Sequence, residues 1–357
     1  MTSINRDKLS NYIRMVGGSV AQGFNCAISA VGDRLGLYRT LAHSGPVTSG
    51  DLAEQTGLNE RWLREWLRHQ ASVGHLDYDA ATDHFSMCPE AAMVLANPES
   101  PAFLAGGFDA VLAAAPAVPQ VAEAFHTGLG MSYDDHGAAC ACGIERLSAY
   151  SKKQALVNEV LPLVDGLAHR LREGARVADV GCGGALSTLA MARAFPASQF
   201  VGYEISSHAL ERARANLAEA KLGNVRLAHA GEEPLPDAPT YDFITTFDVI
   251  HDTPYPDQLI GAIRGALKAD GMWLCEDIRA YPTFAENLEK QPLVSLLYGF
   301  SILVCMSSGL SAPGGAGLGT LGFTEPVARR MAADAGFSRF NRLDYDNPFN
   351  AYYVIQP

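Results

Sequence analysis

The 357-residue chain is 48% hydrophobic and 18% charged, the balance of a folded globular protein with material for two domains rather than of a disordered one. Its 39 acidic residues outnumber 27 Lys and Arg, and the resulting net charge of −12 disfavours a partner with a phosphate backbone. No apolar stretch reaches membrane length, Met1–Arg6 lacks a signal-peptide core, and the seven cysteines are odd in number and scattered, so a cytoplasmic protein with reduced thiols and no membrane partner is expected.

Residues 5 to 43 read as helix, because Ile13, Val16, Val20, Phe24, Ile28 and Val31 recur at three- and four-residue steps. Gly17, Gly18 and Gly32 predict a kink or break in it. A short helix over 48–57, a longer one from Asn59 to about Val73, and two short strands over 75–78 and 84–87 make a winged helix. Arg61, Arg64 and Arg68 on its second helix invite a DNA-binding reading, but the interleaved Glu60 and Glu65 favour a solvated face. Trp62 and Trp66 read as core or interface. The apolar stripe together with these two rings exceeds what a small domain needs for its own core, and predicts a homodimer formed through this region.

From Pro89 to Tyr150 the chain is rich in Ala, Gly and Pro and reads as connecting helices, with a loop over 128–143. Cys140 and Cys142 form a C-x-C beside His136 without a second ligand pair, so no metal site is expected there. A helix over 151–171 leads into the first strand of the next domain. The expected organisation is a helical and winged-helix domain over 1–150 and an α/β domain over 151–357.

From Arg176 strands and helices alternate as in a doubly wound α/β sheet. The run Val177–Val180 enters the turn Gly181-Cys182-Gly183-Gly184, where glycines allow backbone N–H groups to approach a ligand. The next strand, from Phe200, ends in Glu204, followed by Ile205, and that carboxylate could accept both hydroxyls of a ribose. A nucleoside cofactor is implied. Counting G-x-G-x-x-G from Gly181 puts Leu186 at the third glycine position, which weakens a dinucleotide reading. The third strand ends near Gly231 and Glu232, and the fourth delivers Phe247, Asp248, His251 and Asp252 to the expected ligand crevice. Histidine titrates nearest neutrality and can take a proton from a nucleophile, with Asp252 a candidate to fix its ring or to cap the next turn.

The Asp179-x-Gly181-x-Gly183 run with its acidic strand end resembles class I S-adenosylmethionine-dependent methyltransferases. The winged helix and the His251-Asp252 pair resemble, more distantly, plant-type and hydroxyindole-type small-molecule O-methyltransferases, although Thr253 stands where that family has Trp. A closer resemblance is to bacterial and mycobacterial winged-helix methyltransferases, through Ile250-His251-Asp252 and the run Gly315–Thr320. The resemblance implies S-adenosylmethionine as cofactor and methyl transfer to a small-molecule acceptor. It implies that Asp179, Gly181, Cys182 and Gly183 meet the methionine part, Glu204 and Ile205 the ribose, Gly231 and Glu232 the adenine, and Phe247 and Asp248 the sulfonium and amino groups. His251 matches the general base.

Residues 283–312 read as a helical lid over the crevice, with Tyr298, Cys305 and Met306 lining an acceptor pocket and Tyr12 reaching in from the first helix. The glycine-rich run 313–322 is expected to be a flexible connection to that lid. No metal is expected in the crevice, since the His-Asp pair has no third ligand at recognisable spacing. Two other readings stay open: a transcriptional regulator with a cofactor-sensing domain, and an NAD-linked oxidoreductase.

Overall fold

The computed structural model describes residues 4–357. It divides into two compact units, Met1–Leu112 and Ala113–Pro357. The division lies upstream of residue 150 because the helix ending at Tyr150 belongs with the sheet: its Glu145 accepts two hydrogen bonds from Arg212, both at 2.6 Å.

In the first unit, α1 (Arg6–Arg34) runs unbroken through Gly17, Gly18 and Gly32, and the break expected within 5–43 falls instead at Leu35-Gly36, where Gly36 adopts φ +71°. A helical glycine costs about 1 kcal/mol relative to alanine but does not itself stop a helix. Gly32 has a packing role, since a Cβ there would lie 2.2 Å from the Trp66 ring. After α2 (Leu37–His43) come α3 (Ser49–Thr56), begun by a Thr48/Asp51 capping box, and α4 (Glu60–Ser72), capped by Asn59. Strands β1 (Asp77–Asp79) and β2 (His84–Ser86) form an antiparallel hairpin, and Val47 bridges to Phe85, completing a winged helix. Leu37, Leu41, Leu52, Leu63, Trp66 and Leu67 fill its core. Trp62 is 81% exposed and so is not part of that core.

Helices α5 (Pro89–Leu95), α6 (Gly106–Ala114) and α7 (Val118–Thr127) follow. Helix α8 (Gly137–Tyr150) begins inside the segment expected as loop and passes into a π-helical stretch, Ser151–Val160. The helix expected over 151–171 is broken: Pro162 lies in a short 3-10 turn, and Gly166 adopts φ +72° before α9 (Leu167–Glu173).

The sheet alternates with helices in chain order: β3 (Arg176–Val180), α10 (Leu186–Ala194), β4 (Gln199–Glu204), α11 (Ser207–Ala220), β5 (Val225–His229), β6 (Tyr241–Phe247), α12 (Pro256–Ala266) and β7 (Leu267–Ile278). Helices α13 (Phe284–Lys290) and α14 (Val294–Phe300) come next, then a π-helical turn over Ser301–Cys305 and α15 (Met306–Gly309). Helix α16 (Glu325–Asp334), β8 (Arg339–Arg342) and β9 (Asn350–Gln356) complete the order. The seven strands lie in the order β5-β4-β3-β6-β7-β9-β8; the first five are parallel, and β9 is antiparallel to both β7 and β8. One core packs around Ile244, Ile260, Trp273 and Phe323, and a second around Leu156, Leu167, Phe243 and Leu274. Chain direction away from β3 reverses between β4 and β6, so a crevice opens at their carboxyl ends. Among the described residues no helix is long and apolar enough to cross a membrane.

The glycine-rich run after α15 is not a loose connection. Its backbone is tied by Ala316 N–H to Pro254 O at 2.8 Å and by Gly317 N–H to Gly309 O at 3.2 Å. A Cβ at Gly319, which has φ +69°, would lie 2.4 Å from Ser301 Oγ. Glycines here permit close approach, and the segment is a packed strap.

Candidate active site

At the end of β3 the N–H groups of Gly181 and Cys182 both donate to Tyr203 O, at 2.8 and 3.0 Å. Gly181 has φ +70°, and a Cβ on it would lie 2.4 Å from Val249 Cγ2. Gly183, at φ +54°, faces open space. Glu204 reaches under this turn: its Oε2 accepts Gly183 N–H at 2.7 Å and its Oε1 accepts Ser206 N–H at 2.8 Å. Burial raises its pKa while those backbone donors hold it down. Asp179 is buried and directed inward, accepting the hydroxyls of Thr188 at 2.6 Å and Thr245 at 2.9 Å. Its burial likewise raises the carboxyl. Cys182 is a buried thiol in the turn, and Ile205 projects 58% exposed beyond Glu204. Gly231 and Glu232 lie exposed after β5, their N–H groups bonded back to His229.

His251 follows β6 and is only 3% exposed. Its Nδ1 lies 2.7 Å from Asp277 Oδ1, near the end of β7. Asp277, and not Asp252, therefore fixes the ring. Parallel pairing of β6 and β7 brings their carboxyl ends together, a relation that adjacency in sequence does not carry. Although burial opposes its charge, Asp277 and Cys305 raise the His251 pKa well above the ordinary histidine value. Asp252 is pushed up to about 7 by desolvation, reinforced by the carboxylates of Asp277, Glu204 and Asp248. Cys305 stands with them: side-chain ligand atoms of His251, Asp252 and Cys305 lie within 4.8 Å of one another.

Phe247 and Asp248 meet a buried cation. Lys152 Nζ is 2.6 Å from Glu276 Oε1, 3.6 Å from Asp248 Oδ2 and 4.5 Å from the centre of the Phe247 ring. Asp248, at φ +59°, also accepts a hydrogen bond from Asn350 at 2.7 Å. Of the expected pocket residues, Cys305 joins His251, Met306 lines a separate apolar groove with Val121, Phe125 and Ile302, and Tyr298 packs on Phe284. Tyr12 lies exposed on α1 of the other compact unit.

Sequence reasoning missed Asp277, Lys152 and Tyr133. The rule that picked out His251, an ionisable side chain at the carboxyl end of a parallel strand, also fits Glu276-Asp277. Tyr133, whose hydroxyl is raised by burial and by the charges of Cys140, Asp252, Glu204 and Cys305, comes from the segment expected as loop. Lys152 carried no local signal.

A methyltransferase-domain model matches residues 178–273, from within β3 through the glycine turn, Glu204 and His251 to β7. This part of the chain is a methyltransferase domain. Residues 24–97 match the model of an Rv2258c-like winged HTH domain. A ubiquinone biosynthesis O-methyltransferase from Neisseria meningitidis serogroup C (strain 053442) is 31% identical over 125 residues, covering 34% of this chain and 51% of that one. The match therefore spans about half the relative's length. An O-methyltransferase family protein from Burkholderia thailandensis superposes with a TM-score of 0.67 at 16% identity, over 97% of each chain. Human N-acetylserotonin methyltransferase, solved in complex with SAM, superposes with a TM-score of 0.66 at 14% identity, over 100% of this chain and 99% of that one. Winged-helix and methyltransferase-domain segments are thus joined in a fold shared along nearly the whole chain.

Proposed function

We propose that this chain transfers a methyl group from S-adenosylmethionine to a small molecule bearing a nucleophilic oxygen, nitrogen, sulfur or carbon. Oxygen is the favoured atom, given the names of the relatives. The observation that carries the reading is His251, held through Nδ1 by Asp277 at 2.7 Å at the carboxyl end of β6. Val249, two residues earlier, packs at Gly181, so base and glycine turn share one crevice.

The residues fit the cofactor. Gly183 opens into free space, and each Glu204 oxygen, having accepted one backbone N–H, keeps a second lone pair for a ribose hydroxyl. Gly181, Cys182 and Gly183 would border the methionine part, Ile205, Gly231 and Glu232 the ribose and adenine side, and Phe247 and Asp248 the region of the sulfonium and amino groups. When bound, S-adenosylmethionine supplies a methyl group on a cationic sulfur. Alignment of nucleophile and methyl then accounts for much of the rate. His251 Nε2 takes the acceptor's proton, and Asp277 stabilises the imidazolium that forms.

The helices over 283–309 are read as a lid that shapes the acceptor pocket, and the N-terminal unit as the dimerisation and capping domain. Seven free thiols support a reducing, cytoplasmic setting. Calorimetric titration with S-adenosylhomocysteine tests the proposal. The wild type should bind saturably, and Glu204→Gln should lose roughly 1.5–3 kcal/mol of binding free energy. Unchanged affinity in the variant would remove the ribose assignment, and absence of binding would remove the function.

A further inference from the structure

Methyl transfer uses His251 as a base and gives its neighbour Cys305, a pocket-lining residue, no chemical task. Asp277 Oδ1 lies 2.7 Å from Nδ1, which leaves Nε2 as the ring atom open to another group. The Cys305 sulfur lies beside this ring, in the cluster whose ligand atoms, a ring nitrogen of His251 among them, lie within 4.8 Å of one another. Three elements meet here: β7 brings the carboxylate, the turn after β6 the imidazole, and the π-helical turn Ser301–Cys305 the thiol. Single π turns displace a side chain from ordinary helical register and recur at functional positions. A carboxylate held on one ring nitrogen and a thiol close to the same imidazole are the groups by which a base activates a sulfur nucleophile.

The surroundings do not make this an inert core cysteine. Cys305 keeps part of its surface exposed, whereas Cys140, Cys182 and Cys275 are buried. The groups facing it are His251 and Asp252 from the turn after β6, and Tyr133 and Cys140 from the 133–140 segment. Only His251 among them offers a proton acceptor supported from behind by a second carboxylate.

We propose that Asp277, His251 and Cys305 form a nucleophilic triad, making Cys305 a site of covalent modification by soft carbon electrophiles that enter the crevice. In the step, the Cys305 sulfur lone pair forms a bond to the electrophilic carbon and the S–H proton passes to His251 Nε2. With an alkyl iodide the carbon–iodine bond breaks and iodide leaves; with an α,β-unsaturated carbonyl the electron pair moves to the α-carbon, which then takes the proton from His251. The inference stands on the triad geometry and does not need the methyl-transfer reading.

Alkylation of the full-length, folded protein by iodoacetamide at pH 7.5, in chelator, followed by peptide mass mapping of all seven cysteines, tests it. Exposed Cys88 is the internal reference. Cys305 should react about tenfold or more faster than Cys88, a margin set below the roughly 10²–10⁴-fold of a positioned base because Cys305 is the less exposed thiol. His251→Ala and Asp277→Asn should each bring the Cys305 rate to or below that of Cys88, while the Cys88 rate stays unchanged. A wild-type Cys305 no faster than Cys88 overturns the proposal, whatever the variants do. A fast Cys305 that is unaffected in a folded Asp277→Asn protein also overturns it, since reactivity would then come from exposure alone.

Discussion

The pair of His251 with Asp277 makes the strongest demand on experiment. If His251 is the general base, His251→Ala should lower turnover by roughly 10²–10⁴-fold while leaving cofactor affinity nearly intact. Because Asp277 and Cys305 raise the ring's pKa, turnover should climb with pH through a value above the ordinary histidine range. Asp277→Asn removes a negative charge beside the ring, so the same limb should move to lower pH; an unmoved limb in this variant would separate the rate-determining proton from His251. Turnover should also persist after exhaustive chelation, since Nε2 must be free to take a proton. Loss of turnover that zinc restores would instead make His251, Asp252 and Cys305 a ligand set. At this scale the sequence was only partly legible. A histidine after a parallel strand could be read from strand order, but Asp277 and Cys305 reach it through register and helix path, which neighbouring residues do not encode.

Helix α1 shows how glycine in a pattern can mislead. Gly18 has open space where a Cβ would go, and Gly32 has the Trp66 ring. Gly18→Ala should therefore stabilise the protein by roughly 0.5–1 kcal/mol through helix propensity. Gly32→Ala should instead destabilise it, because overpacking of roughly 1–3 kcal/mol opposes the same gain. Urea midpoints of the two variants moving in the same direction would contradict this. The same helix exposes Ile13, Val16, Val20 and Phe24 by 56–68%, a stripe at three- and four-residue spacing on which our proposal of a homodimer rests. Sedimentation of the wild type should give a dimer at micromolar concentration, and Val20→Glu should give a monomer. The glycine strap after α15 carries the same lesson as Gly32: composition announced flexibility, whereas tertiary packing used the missing side chains for close approach.

Across the whole molecule, alternation of strand and helix made the α/β class legible, and the acidic strand end made the crevice legible. Break points in helices and the extent of each compact unit were not, because they follow from packing such as Glu145 on Arg212. Charge also acts at this scale. Arg61 and Arg64 of the winged helix are paired with Glu65 and Glu60, at 2.6 and 2.7 Å, so random duplex DNA should not be retarded even at low salt. Buried acids give stability a pH dependence. Asp252 stays protonated in the folded state up to about 7, far above an unfolded aspartate, so its contribution is complete at low pH and is lost as pH rises through that value. Because the loss begins above the unfolded aspartate pKa and is complete above about 7, Asp252→Asn should raise the melting temperature relative to wild type by more at pH 8 than at pH 5; an equal offset at both would contradict the assignment.

Strand β9 sits between β7 and β8, although β8 precedes it in the chain. During synthesis, β8 thus leaves the ribosome before β9, its one strand neighbour among the described residues, and β7 waits with an open edge while the helices over 283–309 and the strap are made. The sheet cannot close progressively from one end. Strand β9 is a ribbon bonded on both sides, by six residue pairs to β7 and four to β8. A ribosome paused before β9 would hold a nascent chain whose crevice residues on β3, β4 and β6 are already made but whose sheet still ends in a bare edge, the form most exposed to pairing with another chain.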